Sequence, residues 1–384
     1  MKYRILYIQP YASHVGGVDT VLLQLIEGLD KEIFEPIVVL PSYSPYVEKY
    51  NELGAKVIYE KIAVFGKPTN WTYYFKNIYK LCVSLKSLRK VVKSYKIDLI
   101  HSHKMENIGG NIVGKILRIP TVQTVHELPR KPLIAYKAVG YINHLFNDYV
   151  IVLCDRSKAV LEWGKHKSHK VRKIYNGIKV NEQVTTDKDL RKELNLHPQD
   201  KIAVTVARLS PMKGIEYLIE AAHEVKKYDS SIKFVIVGDV AFDHEKEYKE
   251  SLIRKSEELN LGKNILFLGL RRDVPNLLKQ SDVFILPSVY DIFPTVILEA
   301  MSCSLPVIGT DVGGVPEMIK DNTGILVPPT DSKALAKAII RLFNEEDYKE
   351  IGREGRKLLE EKFTQEKYVS QTVNLYTQLL SSRG

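Results

Sequence analysis

Short apolar runs alternate with amphipathic segments along the whole chain of 384 residues. The runs have the length of buried strands, and the segments between them repeat apolar residues at the spacing of a helix. This alternation predicts βαβ units with parallel strands. It is interrupted by the polar stretch 179–200 and then resumes. The sequence therefore predicts an α/β protein of two doubly wound, Rossmann-like domains with a hinge near residues 177–200.

The predicted strands fall into two groups on either side of this hinge. The first group is Tyr3–Ile8, Pro36–Leu40, Lys56–Tyr59, Leu99–His101, Thr121–Val125, Val150–Leu153 and Lys173–Tyr175. The second group is Ile202–Val206, Lys233–Val237, Ile265–Leu268, Val283–Leu286, Pro306–Gly309 and Ile325–Val327. We place the domain limits at 1–180 and 181–362, and expect a final helical segment, 363–384, to cross back to the first domain. Ligands of such sheets bind at the carboxyl ends of the strands, so we expect a site in the cleft where the two domains face each other.

Composition agrees with a soluble globular protein, because 45% of the residues are hydrophobic and 27% are charged. The three cysteines, Cys82, Cys154 and Cys303, are too few and too far apart for a disulfide framework or a CxxC metal pair. The first apolar run is too short for a signal peptide, and no run approaches the roughly 20 residues of a membrane span. We therefore expect a cytoplasmic location.

Charge is distributed unevenly. Residues 1–180 hold 28 Lys and Arg against 14 Asp and Glu, a net charge of +14, whereas the remainder holds 28 against 32, a net charge of −4. This asymmetry suggests an anionic partner for the first half, either nucleic acid or a membrane surface, or else a merely solvated basic surface. The basic amphipathic segment Trp71–Lys96 suits an anionic membrane, or packing on its own domain. No nucleic-acid-binding module is recognisable, so nucleic acid ranks last.

The segment Asp291–Met301 carries the strongest chemical signal. Pro294 suits the first turn of a helix, so residues 292–296, apart from Pro294 itself, which has no N–H, would offer free backbone N–H groups to a phosphate or to sugar hydroxyls. Asp291 precedes this helix and Glu299 lies inside it, so both carboxylates could point toward one ligand. The plain alternative is a capping aspartate and a solvated glutamate.

Two cations, Arg208 and Lys213, follow one predicted strand and suit a diphosphate, which they would neutralise without a metal. Such a pair alone is unremarkable, because loop cations are usually solvated. The only candidate acidic metal motif, Asp187-Lys188-Asp189, lies in the polar hinge, where we expect it to be solvated. We therefore predict no metal and no cofactor.

Together these segments resemble the signature of family 4 glycosyltransferases. The resemblance rests on Asp291-x7-Glu299 with the residues that follow it to Glu317, and on Arg208-x4-Lys213. It spans essentially the whole chain and is strongest over 200–320. The family usually has glutamate where this chain has Asp291, and often Phe-Gly in place of Phe-Pro. The resemblance implies the GT-B fold and sugar transfer with retention of anomeric configuration.

The resemblance also implies roles for individual residues. Arg208 and Lys213 would clamp the donor diphosphate, Asp291 would hold the hydroxyls of the sugar, and Glu299 would hold the ribose. The donor site would be completed, mainly through backbone groups, by Gly238, Leu270, Arg271, Ile292, Phe293, Pro294 and Thr295.

In the first half, Gly16-Gly17 resembles the family's donor-phosphate loop, where missing side chains let the backbone approach closely. His126 lies in a segment that resembles the one beside the transferred sugar, and we expect it to be catalytic. His14 and His103 are the candidates for acceptor contact. His101, His103 and His126 also suit a metal by residue type, but no fitting carboxylate is apparent.

The resemblance thus predicts transfer from a nucleotide-diphosphate sugar, with UDP favoured over GDP, to a hydroxyl of a glycan or lipid-linked acceptor. We expect a role in cell-surface polysaccharide or glycoconjugate synthesis, with the basic half against the inner face of a membrane. The departing phosphate would take the acceptor proton on the same face of the sugar. The alternatives are a sugar-nucleotide epimerase, a phosphorylase, or a non-catalytic protein of the same fold that binds nucleotide-sugars or glycans.

Overall fold

A computed structural model describes residues 2–12, 17–65, 72–128, 133–161, 169–180, 189–345 and 347–382. The chain forms two compact units. The N-terminal unit is Met1–Gly177 with Gln365–Gly384, and the C-terminal unit is Ile178–Thr364. The predicted limits, 180/181 and 362/363, lie within three residues of these.

The N-terminal unit contains a seven-stranded parallel sheet in the order β3-β2-β1-β4-β5-β6-β7. Its strands are β1 Tyr3–Ile8, β2 Phe34–Leu40, β3 Lys56–Tyr59, β4 Leu99–His103, β5 Thr121–Val125, β6 Tyr149–Val152 and β7 Val171–Lys173. Its helices are α1 Gly17–Gly28, α2 Val47–Glu52, α3 Thr72–Ser94, α4 Gly109–Leu117, α5 Leu133–Phe146, α6 Asp155–Leu161 and, after the C-terminal unit, α15 Gln365–Ser381.

The C-terminal unit contains a six-stranded parallel sheet in the order β10-β9-β8-β11-β12-β13. Its strands are β8 Lys201–Val206, β9 Ile232–Val237, β10 Ile265–Gly269, β11 Val283–Leu286, β12 Val307–Thr310 and β13 Gly324–Val327. Its α-helices are α7 Leu190–Glu193, α8 Ile215–Tyr228, α9 Lys246–Glu258, α10 Val274–Lys279, α11 Thr295–Ser302, α12 Val315–Met318, α13 Ser332–Asn344 and α14 Tyr348–Lys362, and Pro211–Lys213 and Asp243–Glu245 form 3-10 turns.

Helices cover both faces of the first sheet. Successive strand residues point to opposite sides, so alternate residues of one strand pack against different helices. On β1, Ile5 and Tyr7 pack with α1 and α15, whereas Leu6 and Ile8 pack with α3 and α4. Such two-sided burial explains why the strands read as continuous apolar runs. The doubly wound α/β architecture predicted for each half is therefore confirmed.

Helix α15 belongs to the N-terminal unit although the chain reaches it last. The Gln365 side chain donates a hydrogen bond to the Gln24 carbonyl at 2.8 Å, and Tyr376 is fully buried in the core of this unit. Its bounds agree with the predicted final helix within a few residues.

Several helices were not predicted, and α14 shows the reason. This helix turns few apolar side chains inward, and its inward face includes Gly352 and Gly355. A Cβ on Gly352 would lie 1.9 Å from the Ser304 carbonyl oxygen, so the helix packs directly on backbone. Contact through glycine needs few apolar residues, so the sequence of this helix reads as a mostly polar segment. In the described part of the chain, no helix is both long and apolar enough to cross a membrane.

Candidate functional site

The candidate donor residues gather at the middle of the second sheet. Strands β8 and β11 are neighbours there, and the chain runs outward from them in opposite directions. Loops leaving the carboxyl ends of two such strands diverge and leave a crevice, which is where doubly wound sheets bind ligands. Arg208 and Lys213 follow β8, and Asp291 follows β11. The structure thus brings together three residues that the sequence assigned to the donor.

Lys213 and Asp291 form an ion pair at this crevice. The distance from Lys213 Nζ to Asp291 Oδ2 is 2.5 Å, and the two side chains are 23% and 13% exposed. The Ser288 hydroxyl donates to Oδ2 at 3.3 Å, and the Ile292 N–H donates to Oδ1 at 3.2 Å. Asp291 is therefore held by three donors, one of them charged. The sequence placed both residues in one site but did not predict that they pair.

The two loops that carry this pair are tied together by backbone contacts. Val289 and Tyr290 donate N–H bonds to the Met212 carbonyl at 2.9 and 3.1 Å. Gly214 has φ +63°, and a Cβ there would lie 2.2 Å from the Pro287 carbonyl oxygen. Only glycine permits this close approach in a left-handed conformation.

Arg208 lies beside Glu245, with 3.8 Å between Nε and Oε1, and its guanidinium carbon is 5.4 Å from the ring centre of Phe242. The Arg208 side chain is one-third exposed. At this distance the ion pair is loose, so Arg208 can turn toward an anionic ligand. Glu245 and Phe242 come from the loop after β9, and no sequence pattern distinguished them.

Gly238 directly follows β9, and its backbone lies against Ala207, the residue that follows β8. Its φ is +133°, and a Cβ would lie 2.0 Å from the Ala207 carbonyl oxygen. The next residue, Asp239, pairs with Lys249 at 2.8 Å, and the hydrogen bond from this ammonium holds the pKa of Asp239 below its usual value. Gly238 thus shapes the loop, and its predicted contact with the donor stays a prediction.

Pro294 lies just before helix α11 and not in its first turn, where the sequence analysis places it. Pro294 has extended geometry at the N-cap, and Thr295 is the first helical residue. The Ile292 N–H bonds the Asp291 carboxylate, so the prediction that it is free for a ligand is wrong. The ring of Phe293 is buried against Phe363, 5.7 Å between centres, and leaves only its backbone to face a donor. The N–H groups of Thr295 and Val296, in the first turn of the helix, have no acceptor one turn earlier in the helix, whereas the Ile297 N–H donates to the Pro294 carbonyl at 3.1 Å.

Glu299 lies within α11 and is mostly buried. Burial raises the pKa of its carboxyl group. Among the residues that the structure describes, its carboxylate has no recorded hydrogen bond or ion pair. It therefore remains available to bind hydroxyl groups, as the sequence predicts.

Leu270 and Arg271, two of the predicted donor-site residues, differ in how far their side chains are engaged within the protein. The Leu270 side chain is 79% exposed. The Arg271 guanidinium is held by Glu193 and by Asp273, the latter at 2.7 Å, and these bonds raise its pKa. Its side chain is thus committed within the protein, and only its backbone is open to the predicted role.

In the N-terminal unit, three histidine rings form a stack. The centres of His101 and His103 on β4 are 4.6 Å apart, and those of His103 and His126, which follows β5, are 5.3 Å apart. His103 Nδ1 and His126 Nε2 share a hydrogen bond of 3.0 Å. His101 and His103 point to the same face of the sheet, because alternate residues of a strand do so.

His101 anchors the stack to α15. Its ring nitrogens share hydrogen bonds with the Tyr376 hydroxyl at 2.6 Å and the Thr124 hydroxyl at 2.7 Å. Burial lowers the pKa of His103 to about 3, and burial together with the neighbouring rings lowers the pKa of His101 well below its usual value. The pKa of His126 is lowered in the same direction, first by burial and then by His103 and Lys104. All three rings are therefore neutral at pH 7.

The predicted contacts of His14 and His103 with the acceptor stay predictions. His103 is fully buried, and its Nε2 has no hydrogen-bond partner among the residues that the structure describes. It can influence a ligand through His126 rather than by direct contact, so its acceptor role stays a prediction. His14 and Gly16 lie outside the described residues. Gly17 is exposed as the first residue of α1, and a Cβ there would meet no atom of the described part of the chain within 4 Å.

Glu127 binds the backbone beside the histidine stack, and the sequence analysis gave it no role. Its Oε2 accepts the N–H groups of Met105 and His126 at 3.1 and 3.0 Å. Burial raises the pKa of this carboxyl group to about 7. Within the described residues, no group of three or more His, Cys, Asp or Glu side chains is arranged to hold a metal ion.

Two family models match this chain in sequence. Residues 15–182 match Glycosyltransferase Family 4, and residues 186–358 match Glycosyl transferases group 1. A galactosyltransferase of Escherichia coli, named for UDP-Gal and α-D-GlcNAc-diphosphoundecaprenol, is 27% identical over 100% of this chain and 98% of its own length. The N-acetyl-α-D-glucosaminyl L-malate synthase of Bacillus anthracis is 32% identical over 55% of this chain and 54% of its own.

Solved structures share the fold across almost the whole chain. HepE of Anabaena, in complex with UDP, has a TM-score of 0.83 at 22% identity and covers 98% of this chain and 100% of its own. Sucrose-phosphate synthase of Thermosynechococcus elongatus has a TM-score of 0.77 at 24% identity, with 99% and 100% covered. Together with the two parallel sheets and the paired family models, these similarities establish that the chain belongs to the family 4 glycosyltransferases of the GT-B fold.

Proposed function

We propose that the protein transfers a sugar from a UDP-sugar to a hydroxyl group of a lipid-linked glycan. The observation that carries the proposal is the crevice between β8 and β11, where Arg208, Lys213 and Asp291 meet the start of α11. Cations and free N–H groups at one place favour a phosphate, and a carboxylate beside them favours sugar hydroxyls. The UDP bound to HepE and the lipid-linked substrate named for the Escherichia coli relative support the choice of substrates.

The cations can act on a diphosphate while keeping their protein partners. An ammonium group has three N–H donors, so Lys213 can bond both Asp291 and a phosphate oxygen. The loose contact between Arg208 and Glu245, 3.8 Å, leaves most guanidinium donors for the second phosphate. Negative charge that develops on the leaving diphosphate would be stabilised by this pair. Independence from a metal is therefore part of the proposal.

We further propose that the transfer retains anomeric configuration. The bond from the anomeric carbon to the phosphate oxygen breaks, and the acceptor oxygen bonds that carbon on the same face. The acceptor proton passes to the departing phosphate, so no protein base is required. Neutral His126, whose Nε2 is engaged by His103, would orient the sugar through Nδ1. Glu299 would accept hydrogen bonds from the ribose diol.

A thermal-shift panel tests the donor site. UDP, GDP, ADP and CMP are added with and without EDTA, because a ligand that binds only the native state raises the melting temperature. We expect UDP to give the largest shift, unchanged by EDTA, and Lys213→Ala to abolish most of it. If no nucleotide shifts the wild type, the crevice is not a working donor site.

Product analysis tests the reaction. With a UDP-sugar and a polyprenyl-diphosphate-linked N-acetylglucosamine, NMR of the product should show the anomeric configuration of the donor. An altered nucleotide-sugar formed without acceptor would indicate an epimerase instead. Nucleotide binding with no turnover over a panel of acceptors would indicate a binding protein.

A further inference from the structure

The sheet of the N-terminal unit has a ligand crevice of its own, which the proposed donor site does not use. Strands β1 and β4 are neighbours, and the chain runs outward from them in opposite directions. Loops that leave the carboxyl ends of two such strands diverge and leave a crevice between them. Tyr11 follows β1, and Lys104 and Glu106 follow β4, so all three lie at this β1–β4 crevice. The sequence analysis gave none of them a role.

The three side chains are in contact with one another. Lys104 Nζ lies 4.5 Å from the centre of the Tyr11 ring, and the Tyr11 hydroxyl donates to Glu106 Oε2 at 3.3 Å. Tyr11 is 39% exposed, and the other two side chains are partly exposed. In the described part of the chain, no carboxylate lies within ion-pair distance of Lys104 Nζ. The crevice therefore offers a ligand an aromatic ring, an ammonium group and a carboxylate.

The backbone of Lys104 is strained and firmly held. Its φ is +67°, a left-handed conformation that residues other than glycine adopt at a cost. Its N–H donates to the Thr124 carbonyl at 2.9 Å, and its carbonyl accepts from the Gln123 side chain at 2.7 Å. Gln123 is held in turn by Asn111 at 2.6 Å, and both side chains are fully buried. Strain that buried neighbours impose in this way is common at ligand sites.

Three carboxyl groups lie near the Lys104 ammonium, beyond ion-pair distance. Burial raises the pKa of Asp19 to about 6 and that of Glu127 to about 7, and the positive charge of Lys104 opposes both shifts. Burial also raises the pKa of Tyr11 to about 12, and the negative charge of Glu106 adds to this shift. The crevice thus holds one cation among several carboxylates.

This mixture of charges favours a neutral polar ligand over a phosphate. A phosphate would meet one ammonium group and would be repelled by the carboxylates, although residues 1–180 as a whole carry a net charge of +14. A sugar hydroxyl can accept a hydrogen bond from an ammonium group and donate one to a carboxylate, so a sugar satisfies both kinds of group. The exposed ring of Tyr11 adds an apolar surface for the C–H groups of a sugar ring.

We propose that Lys104, Glu106 and Tyr11 bind the accepting sugar, so that the protein selects its acceptor by this sugar and not by the phosphate of the carrier. The ammonium group would donate to one hydroxyl, and the carboxylate would accept from a neighbouring one. That the bound sugar is the acceptor rests on the proposed function, whereas sugar binding in the β1–β4 crevice does not. The two ideas can therefore fail separately.

Two acceptors that carry the same sugar test which group is recognised. One is N-acetylglucosamine linked through a diphosphate to a short alkyl chain, and the other is N-acetylglucosamine linked directly to the same chain. With a UDP-sugar donor, kcat/KM for the two should agree within about tenfold, because a single charged hydrogen bond to the phosphate would contribute at least about that factor. A larger preference for the diphosphate acceptor would show that the phosphate is bound, and would overturn the proposal.

Substitutions in the crevice test the contact with the sugar. We expect Lys104→Gly to fold, because glycine adopts left-handed backbone without strain. It should raise the KM for the alkyl glycoside about 10–100-fold, as loss of a charge-assisted hydrogen bond does, and leave the KM for the UDP-sugar within about twofold. Glu106→Ala should raise the same KM about tenfold. The control Lys115→Gln, exposed on α4 of the same unit, should change neither KM.

A binding measurement without turnover separates this proposal from the proposed function. Saturation-transfer NMR with a panel of methyl glycosides should give signals with wild type and with Lys115→Gln that are lost with Lys104→Gly. If these signals appear while no acceptor is turned over, the proposed function fails and the sugar site stands. Equal signals from wild type and Lys104→Gly would overturn the sugar site. An equal rise in the KM for donor and acceptor in Lys104→Gly would assign Lys104 to the donor instead.

Discussion

The ion pair between Lys213 and Asp291 gives the sharpest test of the donor-site geometry. The perturbation is a double-mutant cycle of Lys213→Met, Asp291→Asn and both together. In the structure the two charged atoms are 2.5 Å apart, with 23% and 13% of the side chains exposed. The cycle measures the coupling between the two side chains and removes effects that each substitution has by itself.

The expected coupling follows from the degree of burial. Breaking a fully buried pair costs about 3–5 kcal/mol, and breaking a surface pair costs about 0–1 kcal/mol. This pair lies between those limits. Asp291 would keep the Ser288 hydroxyl and the Ile292 N–H as donors after Lys213→Met, which lowers the cost of stranding its charge. We therefore expect a coupling of about 1–2 kcal/mol in the free energy of unfolding.

Urea unfolding of the four proteins measures this coupling. Lys227 and Glu224 provide a control cycle, because they also pair closely, at 2.7 Å, but are 57% and 50% exposed. Their coupling should be clearly smaller than that of Lys213 and Asp291, because solvent screens the attraction between exposed charges. In turnover assays, Lys213→Met should reduce kcat about 10²–10³-fold, as loss of one transition-state donor does elsewhere, and Lys227→Met should leave it unchanged.

Two results would contradict this reasoning. A coupling no larger than that of the control cycle would mean that the pair does not persist in solution. Turnover of Lys213→Met within about threefold of wild type would mean that this lysine does not stabilise the departing phosphate.

The remaining predictions concern the packing around both sites. Gly238→Ala should destabilise the C-terminal unit by about 2–5 kcal/mol in urea unfolding, because of backbone strain and a Cβ only 2.0 Å from the Ala207 carbonyl oxygen. Gly262→Ala should be near neutral, because its Cβ would have no atom of the described residues within 4 Å. Tyr376→Phe should lower the free energy of unfolding by about 1–3 kcal/mol, because it leaves a buried ring nitrogen of His101 without its hydrogen-bond partner. Tyr228→Phe, which removes an exposed hydrogen bond, should lower it little. The carboxyl group of Glu127 is protonated in the native state up to its pKa of about 7, so it loses its contribution to the free energy of unfolding as pH rises from about 4.5 to 7. Glu127→Gln should therefore gain about 1–3 kcal/mol in the free energy of unfolding, relative to wild type, between pH 5 and pH 8. An equal difference between variant and wild type at both pH values would contradict the raised pKa.

The strands were predictable because burial on both faces leaves a direct trace in composition. Each of the thirteen predicted strands is present, and the bounds shift by two residues or fewer. Helices with several apolar turns, such as α8, were predicted for the same reason. Helix α14, which packs through glycine, was missed because its sequence is mostly polar, and helices of one or two turns were missed because they are too short to repeat a pattern.

The donor residues were predictable as a group, since Arg208, Lys213 and Asp291 all follow strand ends and parallel strands end at one edge of a sheet. Their partners were not. Arg271 is bound by Glu193, 78 residues away in the chain, and Arg208 faces a glutamate in a loop that carries no motif. Such pairings depend on which loops the sheet order brings together.

The parallel α/β architecture and the order of the donor motifs can be predicted from the sequence alone, because both depend on local patterns of apolar and polar residues. The protonation state of the histidine stack depends instead on how the elements pack. Tyr376 reaches His101 across 275 residues because α15 returns to the first sheet, and the resulting burial keeps the rings neutral. Burial and long-range hydrogen bonds are properties of packed elements, and no local pattern encodes how those elements pack.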